Sequence, residues 1–289
     1  MKIIETVAEM RSERARMTSP VALVPTLGGL HAGHEALLHA ARRRAGTVIA
    51  SLFLNPTQFG ENEDLDRYPA DRERDLAVMR KAGVDAVFAP SNSEMYPPDD
   101  DFVVDPGAIG EILEGAHRPG HLRGVSTVVA KLFIATRPDL AYFGEKDAQQ
   151  IEVVRRMARG LLFGIEIVPI PTVRDENGLA LSSRHAYLSD DERVAAKVVY
   201  RSLCRARDAW EAGERDKTTL EDVIRAVIDT EPLATLDYAA VVDARTFGPI
   251  SEPGQGASGP DLTALALVAA RFGSTRLIDN IRLDRNVTF

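Results

Sequence analysis

The fold is decided by Val21–His34, VALVPTLGGLHAGH. Val21-Ala-Leu-Val24 is a short, unbroken apolar run, the pattern of a strand covered on both faces. Pro25-Thr26 ends it, and Gly28-Gly29 opens a turn. From His34 to Arg44 the residues Leu37, Leu38 and Ala41 share one side of a helix that Gly46 closes. Working outward, Thr47–Leu54 (TVIASLFL) reads as a second buried strand ending at Asn55-Pro56. Asp71–Ala82 is amphipathic and stops at Gly83, ahead of the strand Val84–Phe88. Val125–Ala135 and Ala148–Arg159 read as helices, Leu140–Phe143 and Ile165–Ile170 as strands. Strands alternating with helices of this length predict an α/β fold with a Rossmann-like parallel sheet.

After Pro171 the pattern changes, so the domain break is placed at 172–176, giving domains 1–173 and 174–289. Ser189-Asp-Asp-Glu192 is a capping box that opens a helix running to Ala212, with Val194, Val198 and Leu203 as its apolar stripe. A helix over Thr219–Ile228 and strands over Leu236–Val242, Leu262–Ala270 and Thr275–Ile281 complete a small α+β domain. Ser251–Pro260 (SEPGQGASGP) reads as a flexible loop.

Composition narrows the role. The chain has 289 residues, 45% hydrophobic and 27% charged, which is ordinary for a globular protein. Its one cysteine, Cys204, excludes an internal disulfide and suits a reducing cytoplasm; it sits mid-helix with no activating partner and reads as structural. A net charge of −8 disfavours sequence-independent nucleic-acid binding. No apolar run approaches the ~18 residues of a membrane span, and the first residues lack a signal peptide's apolar stretch. A cytoplasmic small-molecule role is the expectation.

Five segments carry candidate chemistry. Thr26–His34 joins a strand to a helix, and a helix N-terminus presents N–H groups and a positive dipole end to an anion. Gly28, Gly29 and Gly33 let backbone approach, and His31 and His34, three apart, offer donors to phosphate oxygens. The alternatives are a glycine turn with two solvent-facing histidines, or a half-built metal site. Phe143–Gln150 (FGEKDAQQ) places Lys146 for phosphate and Asp147 for a ribose hydroxyl or a helix cap; one of Gln149 and Gln150 faces the pocket and the other solvent. Its plain alternative is a charged N-cap turn. Leu181-Ser-Ser-Arg184 makes a hydroxyl–guanidinium clamp for phosphate. Asn55-Pro-Thr-Gln-Phe59 offers two amides to a hydroxyl- and carboxylate-bearing substrate, or is an ordinary proline turn. Arg118–Val125 (RPGHLRGV) is an acid-binding or lid loop, or a solvated turn. Arg42-Arg43-Arg44 reads as a helix C-terminus.

Taken in this order, HxGH, NPTQF, RPGHLRGV, FGEKDAQQ and LSSR resemble the pantothenate synthetases, the ATP-dependent pantoate–β-alanine ligases of the cytidylyltransferase-like superfamily. The resemblance runs from Val21 to Leu188 and weakens beyond. It implies a catalytic N-terminal domain, a C-terminal lid domain, a homodimer and a need for Mg2+ held mainly by ATP phosphates rather than by protein ligands. It also implies that Leu27, Gly28, Gly29, Leu30, His31, Ala32, Gly33 and His34 line the ATP site, with His34 in a proton-donor role. Gly144, Glu145, Lys146 and Asp147 then form a second ATP segment, Val173 touches adenine, and Leu181, Ser182, Ser183 and Arg184 form the second phosphate clamp. Gln58 and Gln150 hold pantoate beside Asn55, and Val128 and Val129 flank that pocket.

Leu27 and Leu181 stand where the family commonly has methionine, Gly29 where alanine or asparagine is usual, and His185 where asparagine is usual; none removes a group the reaction needs. The implied reaction condenses (R)-pantoate with β-alanine through a pantoyl adenylate, releasing pyrophosphate and AMP. His31, His34, Lys146, Ser182, Ser183 and Arg184 neutralise charge in the first step, and lid closure keeps water from the adenylate. Two other readings predict different products: a nucleotidylyltransferase of the same superfamily keeps the nucleotide in its product, and a non-catalytic nucleotide-binding module binds ATP without turnover.

Overall fold

A computed structural model describes residues 1–61, 63–250 and 263–284. The chain divides into two compact units, 1–173 and 174–289. The first contains β1 (Lys2–Ile4), α1 (Val7–Arg14), β2 (Val21–Thr26), α2 (Ala32–Arg44), β3 (Thr47–Leu52), α3 (Arg72–Lys81), β4 (Ala86–Phe88), α4 (Asn92–Met95), α5 (Glu114–His117), α6 (His121–Thr136), β5 (Leu140–Gly144), α7 (Ala148–Gly160) and β6 (Glu166–Ile170). Its six strands form one sheet in the order β1-β4-β3-β2-β5-β6, parallel throughout. The Rossmann-like parallel sheet read from the sequence is therefore present.

Residues 21–24 show why. All four are fully buried, and successive side chains enter opposite faces. Val21 and Leu23 join the core under α6 and α7, whereas Ala22 and Val24 join the core under α2. β1 and α1 lie upstream of every element read from the sequence. β1 is too short to show a period, and it exists because its backbone pairs with β4 at the sheet edge.

The second unit contains α8 (Asp190–Ala195), α9 (Lys197–Glu211), α10 (Lys217–Ile228), β7 (Ala234–Asp243), β8 (Ala264–Phe272) and β9 (Thr275–Arg282), the strands forming an antiparallel sheet β7-β8-β9. Val198, Val199, Leu203, Trp210, Leu220, Ile224 and Phe272 share its core. The capping box is present: Glu192 N donates to Ser189 Oγ at 3.3 Å, and Ser189 N donates to Glu192 Oε2 at 2.8 Å. The single helix expected to run to Ala212 is instead two. Val199 N reaches Ala196 O, one residue short of the α-helical span, and this tighter turn buries Ala195, Ala196, Val198 and Val199 together. Val194, expected on the stripe, is 63% exposed as a result. Cys204 lies in α9, partly buried, with Arg207 Nη2 at 3.8 Å from its sulfur. The loop expected over 251–260 lies outside the described residues.

Candidate active site

From β2 the sheet continues through β3 and β4 on one side and through β5 and β6 on the other. In open α/β sheets, the crevice outside the carboxyl ends of strands at such a reversal is the ligand site. Loops leave that edge after β2, β3 and β5.

The loop after β2 bends where Gly28 and Gly29 take φ of 101° and 66°, values that favour glycine. The anion-site reading expected its amides to stay open, and two of them do not. Gly29 N and Leu30 N each donate, at 2.8 Å, to the carboxylate of Asp75 on α3, which is 1% exposed. Leu30 is itself buried against α2 and the sheet, so its side chain belongs to the core rather than to an ATP wall. The sequence shows the cause in retrospect: Asp75 precedes the buried Met79 by one helical turn, so an acid occupies the inward face of α3 and must find donors there.

His31 is the N-cap of α2. Gly33 N donates to His31 Nδ1 at 3.1 Å, and His31 N donates to His34 Nδ1 at 3.3 Å. The ring centroids are 4.2 Å apart. A backbone N–H is always the donor, so both Nδ1 atoms act as acceptors, and each ring in its neutral form carries its proton on Nε2. A Cβ on Gly33 would lie 2.8 Å from the His31 ring, so glycine there lets the imidazole fold over the helix end. Burial, then His31, then the Lys146 ammonium push the His34 pKa down to about 3. At neutral pH His34 is thus a hydrogen-bond donor through Nε2–H and not an imidazolium.

That influence of Lys146 on His34 joins the second segment to the first, because β5 pairs with β2. Gly144 ends β5, and Glu145, Lys146 and Asp147 form a tight turn entering α7. Asp147 makes no side-chain cap to α7, contrary to one of its expected roles; its Oδ1 lies 3.5 Å from Lys146 Nζ. Gln149, expected to face either pocket or solvent, does neither. It is buried, donates to Ile109 O and Ile112 O, and accepts from Glu114 N. Gln150 beside it is half-buried at the start of α7.

After β3, Pro56–Gln58 form a single tight turn capped by Asn55. Asn55 is fully buried and every polar atom of its side chain is engaged. Its Nδ2 donates to Gln58 Oε1 at 3.0 Å and Gly124 O at 3.2 Å; its Oδ1 accepts from Tyr96 OH at 2.8 Å and Thr57 Oγ1 at 3.0 Å. The expectation that Asn55 reaches a ligand is corrected: nothing is left to reach with, and it orients Gln58 instead. RPGHLRGV is likewise no open loop over its length, because α6 begins at His121. Val128 and Val129 are buried on α6, one turn beyond Gly124.

In the second unit Ser182 Oγ accepts from Arg184 N at 3.3 Å and caps a turn over Ser183–Tyr187. Leu181 is half-buried, and His185 is buried with its carbonyl accepting from Arg193. Val173 is the last residue of the first unit. Among the described residues no three His, Cys, Asp or Glu side chains gather as metal ligands, and no helix is long and apolar enough to cross a membrane.

The profile described as Pantoate-beta-alanine ligase matches residues 2–282. A pantothenate synthetase of Chloroflexus aurantiacus is 52% identical over 285 residues, covering 98% of this chain and 99% of that protein. The chain belongs to the pantoate–β-alanine ligase family. A pantothenate synthetase of Rubrobacter xylanophilus is 52% identical over 91% of each chain. Among solved members, that of Thermus thermophilus superposes with a TM-score of 0.89 at 45% identity, over 98% of this chain and 99% of its own. The ligase of Francisella tularensis, solved with β,γ-ATP and β-alanine, gives 0.79 at 30% identity, over 99% of each.

Proposed function

We propose that this protein joins (R)-pantoate to β-alanine at the expense of ATP. The observation that carries the reading is the imidazole pair of His31 and His34, with His34 neutral and within electrostatic reach of Lys146, at the reversal point of the sheet, in a chain about half identical to named pantothenate synthetases. A free carboxylate is a poor acylating agent, so the acid is activated first. A pantoate oxygen attacks the α-phosphorus, the bond to the β-phosphate oxygen breaks, and pyrophosphate leaves. The β-alanine amine then attacks the acyl carbon of the adenylate and loses a proton, and the bond to AMP breaks.

The first step needs in-line positioning and charge neutralisation more than covalent help. Lys146 and the Nε2–H donors of His31 and His34 meet that need. The proton-donor role assigned to His34 is, in this reading, donation of a hydrogen bond, since its ring is neutral before ligand binds. Ser182, Ser183 and Arg184 are assigned to the triphosphate, Asp147 to the ribose, Val173 to adenine, and Gln58 and Gln150 to pantoate. Mg2+, held mainly by the nucleotide phosphates rather than by protein ligands, would supply further neutralisation of phosphate charge. The 174–289 unit is assigned the role of a lid, the molecule that of a cytoplasmic homodimer, and sedimentation tests the last.

Exchange of labelled pyrophosphate into ATP decides the reading. It is expected only with pantoate present, and without β-alanine. Exchange independent of pantoate, or AMP retained in the product, removes the ligase reading in favour of nucleotidyl transfer.

A further inference from the structure

Two chains of contacts converge on Gln58, one on its backbone and one on its carboxamide, and neither is needed to hold a simple turn. On the backbone side, His121 Nδ1 lies 2.9 Å from Gln58 O, and its Nε2 lies 2.9 Å from Arg118 Nη1. A carbonyl only accepts and a guanidinium only donates, so His121 carries its proton on Nδ1, the opposite tautomer to His31 and His34. Arg118 is in turn gripped by Glu63 through two contacts of 2.6 Å. Burial, then the Arg118 cation, push the His121 pKa down to about 4, which keeps the ring neutral.

On the side-chain side, Lys131 Nζ stands 4.5 Å over the Tyr96 ring, Tyr96 OH donates to Asn55 Oδ1, and Asn55 Nδ2 donates to Gln58 Oε1. With Oε1 accepting from Asn55, the amide of Gln58 is turned so that its Nε2–H2 group points away from Asn55 as a donor, and Oε1 keeps one lone pair. Gly124 closes the bracket. A Cβ there would lie 2.3 Å from Thr57 O and 2.7 Å from Gln58 Cα; both are backbone atoms with no freedom to yield, so only glycine lets α6 lie this close.

We propose that Arg118–Gly124 is the positioning element of the acid subsite: His121 and Gly124 set the Gln58 backbone so that its Nε2–H2 group donates to an oxygen of the acid substrate. The inference rests on the ligase reading. His121 and Gly124 are positioning residues, acting through Gln58. Displacing a binding group by about 1 Å costs on the order of 100-fold, and that loss falls on the acid alone.

The experiment is steady-state kinetics of the full-length protein with pantoate and ATP varied separately, together with imidazole nitrogen NMR of the wild type. His121→Leu and Gly124→Ala are expected to raise the pantoate KM about 10- to 100-fold and leave the ATP KM within about twofold. His121→Asn, whose amide nitrogen takes the place of Nδ1, is expected to restore most of the loss. Wild-type pantoate kinetics in His121→Leu, or equal losses for both substrates in a folded variant, overturn the proposal. Should the variants fail to fold, the NMR decides: His121 protonated on Nε2 overturns it, and protonation on Nδ1 upholds it. Failure of the wild type to consume pantoate defeats the ligase reading itself, and is told apart by needing no variant.

Discussion

The loops that follow the adjacent strands β2 and β3 are held in opposite ways. The turn at 27–34 is fixed through its main-chain amides: Asp75 on α3 takes two of them, the His31 ring takes Gly33 N, and the His34 ring takes His31 N. The loop at 53–59 is fixed instead through the Asn55 side chain and the Gln58 carbonyl, by Tyr96, His121 and Gly124, which lie 41, 63 and 69 positions away from their partners in it. The first arrangement leaves ring N–H donors, suited to a polyanion; the second leaves one oriented amide, suited to an acid. On the proposed reading, two substrates at one sheet edge would be gripped by machinery with no shared members, and damage to one loop is expected to spare the other substrate.

The largest effect expected is on chemistry. Lys146→Ala and His34→Ala should lower pyrophosphate release from ATP and pantoate, without β-alanine, by on the order of 100- to 1000-fold, with an unchanged circular dichroism spectrum. Wild-type bursts in both variants would break the assignment of the first loop to the triphosphate.

Asp75→Ala comes next. It strands the amides of Gly29 and Leu30, and buried amides without partners cost about 1–3 kcal/mol each. Urea denaturation should show the loss, and the ATP KM should rise while that for pantoate holds. Gly33→Ala moves only the His31 ring; a roughly tenfold rise in the ATP KM, about one hydrogen bond, sharpens the comparison, and an equal rise for pantoate blurs it.

Acid should destabilise both loops. His34 and His121 have folded pKa values of about 3 and about 4, below the ordinary 6.5. The unfolded state therefore binds more protons as pH falls from 6.5 toward these values, and stability is lost over that window. Urea midpoints from pH 8 to 4 should fall, and less steeply in His121→Asn. The smallest effect expected is that of Arg123→Ala. Its exposed pair with Asp105 contributes within about 0.5 kcal/mol, and both KM values should stay at wild-type levels, a control from within the 118–124 segment.

The glycine-histidine turn was legible because its determinants are contiguous: two glycines, two histidines three apart, and a helix that follows. Asn55, by contrast, reads as a ligand-facing amide, since nothing nearby in the chain announces Tyr96 or Gly124 as its partners. RPGHLRGV reads as a loop because Pro119 and two glycines dominate its composition, yet Gly120, at φ 84°, serves to start a helix. Gln149 and Gln150 are neighbours with the same side chain, and only packing against residues 109–114 separates the buried clamp from the half-exposed partner.

By itself the amino-acid order determined the alternation of strand and helix, and therefore a parallel sheet with its loops gathered at one edge, because hydrophobic period and turn chemistry are local properties of the chain. The protonated nitrogen of His121, the orientation of the Asn55–Gln58 amide pair, and the buried acid that holds the glycine turn were decided only in three dimensions. Each depends on a hydrogen-bond partner supplied by a distant segment, and in a buried site it is the partner that dictates where the proton and the dipole point.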